Sequence, residues 1–293
     1  MKFSSPTRRK IFRRCRKRFY YRYLHKPALP DELKEHRARL QLCGVRELAG
    51  HLIHRTLARM VESIAAGPNS WDYETEGKNC MNQFLEVVAK SLAVEPGQLL
   101  GDLQLAETFN GASPEDLKDD VNHWRVLIPT AIENAFRAAH ELHLHHETSN
   151  YKVETEEEVF WTHGGNPLHL VFDVVTESPY QKIIIDWKTH EIDQDDVFQV
   201  RSYLEYYHRV RGVPSSKLFG FAVDLRKGEI TRISYDPYRH IGRSTPMASR
   251  LSPITPRGGP KYPASPNSEL CLRCPYASMC SDALLPTVYA PII

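Results

Sequence analysis

The sequence predicts an α/β fold in which a mainly helical first half precedes a strand-rich second half. Residues 44–65 carry apolar side chains at helical spacing, whereas from residue 151 onward short runs rich in Val, Ile and aromatics take over. The length of 293 residues suits one elaborated α/β domain. No apolar run approaches the roughly 20 residues needed to span a bilayer. The start lacks the apolar stretch of a signal peptide, so a cytoplasmic location is expected.

In GVRELAGHLIHRTLARMVESIA, Leu48, Leu52, Leu57, Met60, Val61 and Ile64 form one helical stripe. Two further helices are expected over 81–94 and 119–144, separated by breakers at Pro96, Gly97 and Gly111. The runs YKVETEEEVFWTH, LHLVFDVVTE and KIIIDWKTH read as strands, as do KLFGFAVDLRK and EITRISYD. Between the third and fourth, Val197, Val200, Leu204 and Tyr207 share a helical face. The order is therefore β, β, β, α, β, β. Residues 240–270 are rich in Pro, Ser and Gly and are expected to be irregular. The expected organisation is a single domain over 1–293: a basic arm (1–43), a mainly helical part (44–150), the strand-bearing core (151–239), an irregular link (240–270) and a cysteine segment (271–293).

The formal net charge of +2 hides an asymmetry. Residues 1–26 hold eleven Lys or Arg and no acid, which leaves 27 cations against 36 acids elsewhere, a balance of −9. An arm such as RRKIFRRCRKRFYYRYLHK can follow phosphates with its cations and stack bases on its rings. A solvated basic tail is the plain alternative. An organellar transit peptide fits less well, given Cys15 and the aromatic run.

The strands holding Asp173 and Asp186 are joined by TESPYQ, with Pro179 at the bend. A turn centred near 179 and 180 sets Asp173 opposite Asp186, where β-carbons sit about 5 Å apart. Lys188 follows two residues after Asp186, on the same face. Two carboxylates can hold Mg²⁺ or Mn²⁺, and a lysine beside them can orient a nucleophile or neutralise developing charge. A salt bridge at a strand end would give the same tripeptide. The three isoleucines before Asp186, however, point to a buried strand that delivers charge to its polar end.

At this point a resemblance becomes specific. The run IIIDWKTH, preceded by VFDVV and followed by QVRSY, resembles the motifs of RecB-like PD-(D/E)XK nucleases. The resemblance implies a restriction-endonuclease-like mixed β-sheet core flanked by helices, and metal-dependent hydrolysis of DNA, most commonly as an exonuclease on single strands. It gives Gln199 and Tyr203, four residues apart on one helical face, a role in contacting the DNA backbone or orienting Lys188. It also gives meaning to Gly50 and His54. The family's G-x-x-x-H helix supplies the histidine as a further metal ligand, and the backbone carbonyl of Trp187 would complete the metal sphere.

Cys271, Cys274 and Cys280 form C-x2-C-x5-C, a spacing that suits metal ligation. The iron-sulfur members of the resembled family, among them AddB-type nucleases and CRISPR-associated exonucleases, place one cysteine before the core and three after it. Cys15 in FRRCRKRFYYRYL would then be the fourth ligand, although Arg16 stands where many members have proline. Four thiolates suit zinc as well as a [4Fe-4S] cluster, and spacing alone does not choose. One-plus-three ligation, implied by the resemblance, favours the cluster. Cys43 and Cys80 match no motif and are expected to be buried thiols. The partners implied are DNA and, as alternatives, an integrase or other CRISPR, defence or repair proteins. A non-catalytic DNA-binding scaffold is the contrasting class of function.

Overall fold

The computed structural model describes residues 6–67, 71–144, 152–163, 166–237 and 263–285. Most of the link expected over 240–270 lies outside these residues. In chain order the elements are α1 (Pro6–Arg14), α2 (Arg16–Tyr23), α3 (Pro30–Arg39), β1 (Leu42–Cys43), α4 (Val45–Ala66), α5 (Tyr73–Leu92), β2 (Gln104–Leu105), α6 (Ala106–Phe109) and α7 (Pro114–Glu141). There follow β3 (Lys152–His163), β4 (Asn166–Glu177), β5 (Lys182–Lys188), α8 (Gln194–Arg209), β6 (Leu218–Asp224), β7 (Glu229–Ile233) and α9 (Ser268–Leu272). They group into two compact units. One takes residues 53–78 and 129–237, the other residues 7–52, 79–128 and 263–285. Among the described residues no helix is long and apolar enough to cross a membrane.

The first unit holds a five-stranded sheet ordered β3-β4-β5-β6-β7. The strands β3, β4 and β5 run antiparallel, β5 and β6 parallel, and β6 and β7 antiparallel. The sheet is thus mixed, as expected. The parallel step falls where α8 intervenes, because parallel neighbours need a long crossover. The turn at Ser178–Gln181 is closed by the Ser178 N–H on the Gln181 carbonyl at 2.8 Å. From it the ladder pairs Glu177 with Lys182 and Val174 with Ile185, the register predicted for Asp173 and Asp186.

Helix α8 starts where Asp193 caps it, accepting hydrogen bonds from the N–H groups of Asp195 and Asp196. Its stripe of Val200, Leu204 and Tyr207 is buried against Leu170, Phe172, Ile184 and Ala222, with Val197 partly buried beside them. Each such side chain contributes about 1.5–3 kcal/mol on full burial. Close seating of the helix depends on Gly220 in β6. A β-carbon there would lie 2.7 Å from Val200 Cγ1 and 2.8 Å from Leu204 Cδ1.

Helix α4 buries all six residues of its predicted stripe. Two other helices begin earlier than their apolar period suggests. Helix α5 starts at Tyr73 rather than near 81 because Asp72 accepts from the N–H groups of Glu74 and Thr75. Helix α7 starts at Pro114 because Ser113 and Asp116 cap each other, with Ser113 N–H on Asp116 Oδ2 at 2.8 Å. In both, the first turn holds a single apolar residue, Tyr73 or Leu117, too few to show a helical period.

In the second unit β1 and β2 make a short parallel pair, and Leu42, Ala106 and Phe109 form a small core. The basic arm is helical from Pro6 to Tyr23, broken at Cys15. Its Phe19 is buried, with the rings of Phe12 and Tyr23 5.2 and 5.1 Å away. One ring of the run expected to stack on bases is therefore engaged within the protein.

Gly220→Ala should destabilise the sheet unit by about 1–3 kcal/mol through overpacking. Urea denaturation should show a lower midpoint with an unchanged slope.

Candidate active site and cysteine cavity

Every residue of β5 is buried, including Asp186 and Lys188 at its end. Charges cannot be buried singly without large cost, and the structure pairs them. Lys188 Nζ lies 2.6 Å from Asp186 Oδ2 and 3.4 Å from Asp196 Oδ1, and donates to Gln199 Oε1 at 3.1 Å. Gln199 Nε2 donates to Asp186 Oδ1 at 3.3 Å and also to the Tyr203 hydroxyl. That hydroxyl in turn donates to the Val171 carbonyl at 2.7 Å. Gln199 thus contacts Lys188 directly, and Tyr203 contacts Gln199. Tyr203 is only 1% exposed.

From β4, Asp173 reaches the same place. Its Oδ2 accepts from the Trp187 N–H at 2.8 Å, and its Oδ1 faces His54 Nδ1 at 3.2 Å. His54 comes from α4, one turn after Gly50. The side chain of Trp187 is buried in the core, which leaves its backbone as the part that faces the carboxylate. The sequence-predicted residues Asp173, Asp186, Lys188, His54, Gln199, Tyr203 and Trp187 are thus all brought together.

The electrostatics favour a cation. Burial pushes the Asp186 carboxyl up to about 6, with Lys188 pulling it down and Asp173 adding to the rise. Burial also works against ionisation of Asp173, but His54, Lys188 and the Trp187 N–H hold it below the usual carboxylate range. Lys188 would be lowered by burial, yet Asp186, Asp173 and Asp196 hold it above its ordinary value, as a cation. For His54 the burial effect is likewise outweighed by Asp173, and its value is raised. Asp186 Oδ2 is ion-paired but lacks an aligned hydrogen-bond donor. Asp173 and Asp186 together exceed the charge of Lys188, and two carboxylates so placed beside His54 fit a hard divalent ion.

Sequence reasoning missed Asp196 and His190. His190 Nε2 lies 3.1 Å from Asp196 Oδ2. The available signal was D-x-x-D ahead of the α8 stripe, a capping-box pattern that places Asp196 one turn before Gln199.

In the second unit, Cys15, Cys271, Cys274 and Cys280 line one cavity of about 170 Å³. Cys43 and Cys80 are not among its lining residues, and Cys80 is buried in α5. Burial pushes the Cys274 thiol up to about 11, against the pull of Arg18. The backbone of the C-terminal cysteine loop is held from outside. Asn110 Nδ2 donates to the carbonyls of Leu272 and Cys274 at 2.8 and 2.9 Å. Arg39 donates to the Pro275 carbonyl at 2.9 Å, and the Tyr21 hydroxyl to that of Met279 at 2.9 Å. Four thiols around one void fit a bound metal centre, since thiolates gather where a metal holds them.

The fold and site together define a mixed α/β protein with a buried carboxylate–lysine centre suited to a divalent cation. The family described as the PD-(D/E)XK nuclease superfamily matches residues 4–281, and the chain belongs to it. Its members are nucleases that use divalent metals such as Mg²⁺ or Mn²⁺. No curated protein matches the chain. Among solved structures, the crystal structure of SSO0001 is 17% identical, with 58% of this chain and 80% of that chain covered and a TM-score of 0.27. Protein VC1899 from Vibrio cholerae is 14% identical, with 69% and 49% covered and a TM-score of 0.24, so this chain spans about half its length.

Because the folded-state value of His54 is raised, its pairing with Asp173 stabilises the metal-free protein fully below about pH 6.5. That contribution is lost as pH rises through the folded value. In EDTA, the stability advantage of the wild type over Asp173→Asn should narrow as pH rises above about 6.5 in thermal melts.

Proposed function

We propose that the chain is a metal-dependent deoxyribonuclease, acting by preference as an exonuclease on single-stranded DNA. The observation that carries the reading is the joining of Asp173, Asp186 and Lys188 at the buried end of β5. The preference for single strands and for chain ends rests on the resemblance of IIIDWKTH and QVRSY to RecB-like nucleases. Asp173, Asp186, His54 and the Trp187 carbonyl would hold the divalent ion. When bound, Mg²⁺ or Mn²⁺ supplies a Lewis acid for the scissile phosphate and a more acidic water.

The chain's own residues then have separable tasks. Lys188, held as a cation, neutralises charge that develops on the phosphoryl oxygens. Gln199 fixes the position of that ammonium through its side-chain oxygen. Tyr203 fixes Gln199, anchored to β4 at the Val171 carbonyl. His54 orients Asp173 through the contact at 3.2 Å.

For the cysteine cavity we propose a [4Fe-4S] cluster on Cys15, Cys271, Cys274 and Cys280. A single zinc ion draws four sulfurs to about 2.3 Å from its centre and needs little space. The one-plus-three cysteine arrangement of the resembled iron-sulfur nucleases favours the larger group, and the four thiols line one cavity.

With Mn²⁺, anaerobically purified protein should shorten end-labelled single-stranded DNA, and EDTA should stop it. Lys188→Ala should lower the rate by about 10²-fold or more. An inactive wild type that still binds Mn²⁺ and DNA would exclude stand-alone catalysis. Separately, the purified protein should show broad absorption near about 400 nm, and Cys274→Ser should abolish it. Zinc without iron in elemental analysis would overturn the cluster assignment.

A further inference from the structure

Asp196 carries no role in the nuclease reading, yet it is 0% exposed and its two oxygens serve different neighbours. Oδ2 accepts from the Asp193 N–H at 3.0 Å and lies 3.1 Å from His190 Nε2. Oδ1 lies 3.4 Å from Lys188 Nζ. Among the described residues, the carboxylates ion-paired with Lys188 are Asp186 and Asp196. We propose that Asp196 is a positioning residue for the nuclease reaction, the counter-ion that holds Lys188 in place while Asp186 is committed to the divalent ion.

This inference rests on the nuclease reading of the same site, and three observations support it. First, a capping box needs one oxygen at its third helical position and no desolvation. Asp196 meets that need with Oδ2 alone, so capping accounts for neither its complete burial nor the placement of Oδ1. Second, Lys188 is fixed by two acids of different standing. Asp186 belongs to the metal-holding pair, whereas Asp196 comes from α8, the helix that also supplies Gln199. Third, a buried ammonium requires a counter-charge throughout turnover. If Asp186 turns its charge toward a cation, Asp196 is the partner that remains.

His190, Asp193 and Asp196 also bring ligand atoms within 4.8 Å of one another. The Asp193 oxygen there is engaged by the N–H groups of Asp195 and Asp196. The grouping is explained by the helix start, and a second metal is an outcome to test rather than the proposal.

Asp196→Asn keeps an oxygen for the Asp193 N–H and removes the charge, whereas Asp196→Glu keeps the charge. Three measurements on the folded, Mn²⁺-loaded full chain decide the matter. They are kcat and KM on end-labelled single-stranded DNA, Mn²⁺ affinity and stoichiometry by calorimetry, and the acylation rate of Lys188 by peptide mass spectrometry. For Asp196→Asn we expect kcat to fall about 10–100-fold, with KM and Mn²⁺ affinity within about twofold and faster acylation of Lys188. Asp196→Glu should recover most of kcat. An unchanged kcat, a fall in Mn²⁺ stoichiometry, or a Glu variant as slow as the Asn variant each overturns the proposal. A wild type that cuts no DNA sinks the nuclease reading by itself. The acylation comparison then still decides on Asp196, because equal rates in wild type and Asp196→Asn would show that it does not hold Lys188.

Discussion

A strand buried along its whole length that ends in Asp186 and Lys188 imposes a constraint on everything around it. Neither charge can stay in that position without partners, and no single element supplies them all. The partners come from β4 through Asp173, from α8 through Asp196 and Gln199, and from α4 through His54 by way of Asp173. One group of charges therefore fixes where four elements meet. Removing a member leaves another charge buried and unpaired, which costs more than the lost contact itself. The same arrangement explains why the two carboxylates differ. Burial raises both, but Asp173 also faces a histidine and a backbone N–H that outweigh it, whereas for Asp186 the pull of Lys188 does not offset burial and the nearby charge of Asp173.

Much of this was legible in the sequence, for identifiable reasons. A strand has a period of two, so one well-placed turn at Pro179 fixes every pairing along β4 and β5, and Asp173 falls opposite Asp186. Gln199 and Tyr203 are legible because residues four apart in a helix share a face. The inward direction of His54 follows from its place among Leu57 and Val61, both fully buried. Asp196 was not legible as a partner of Lys188. An aspartate three residues into a helix reads as a cap, and it is a cap. Its second contact depends on how closely α8 lies on the sheet, which Gly220 decides from another strand. The starts of α5 and α7 were hidden for a simpler reason: they are set by polar caps at Asp72 and Ser113, and the single apolar residue in each first turn makes no helical period.

The cysteine unit shows the converse. Its cysteines stand out in the sequence, while the residues that shape their surroundings do not. Asn110, Arg39 and Tyr21 act on carbonyl oxygens of the cysteine loop, contacts with no residue-type signature because any carbonyl is the same acceptor. Arg273, inside the loop, is ion-paired with Glu107, Asp120 and Glu269. The loop thus takes its shape from neutral and charged donors around it, and the thiols converge on one void.

The two units are interleaved along the chain, and this gives synthesis a direction. The strands of the sheet have all been made once β7 ends at Ile233, whereas the cysteine unit waits for Cys280. Cys280 follows about 47 residues later, a delay on the order of seconds at ordinary elongation rates. Helices α4, α5 and α7 each contribute to both units, so neither can be cut out as a contiguous fragment. A chain synthesised only to a point between these two would hold every strand of the sheet but not all four thiols. Convergence of the thiols is accordingly a later event than completion of the sheet.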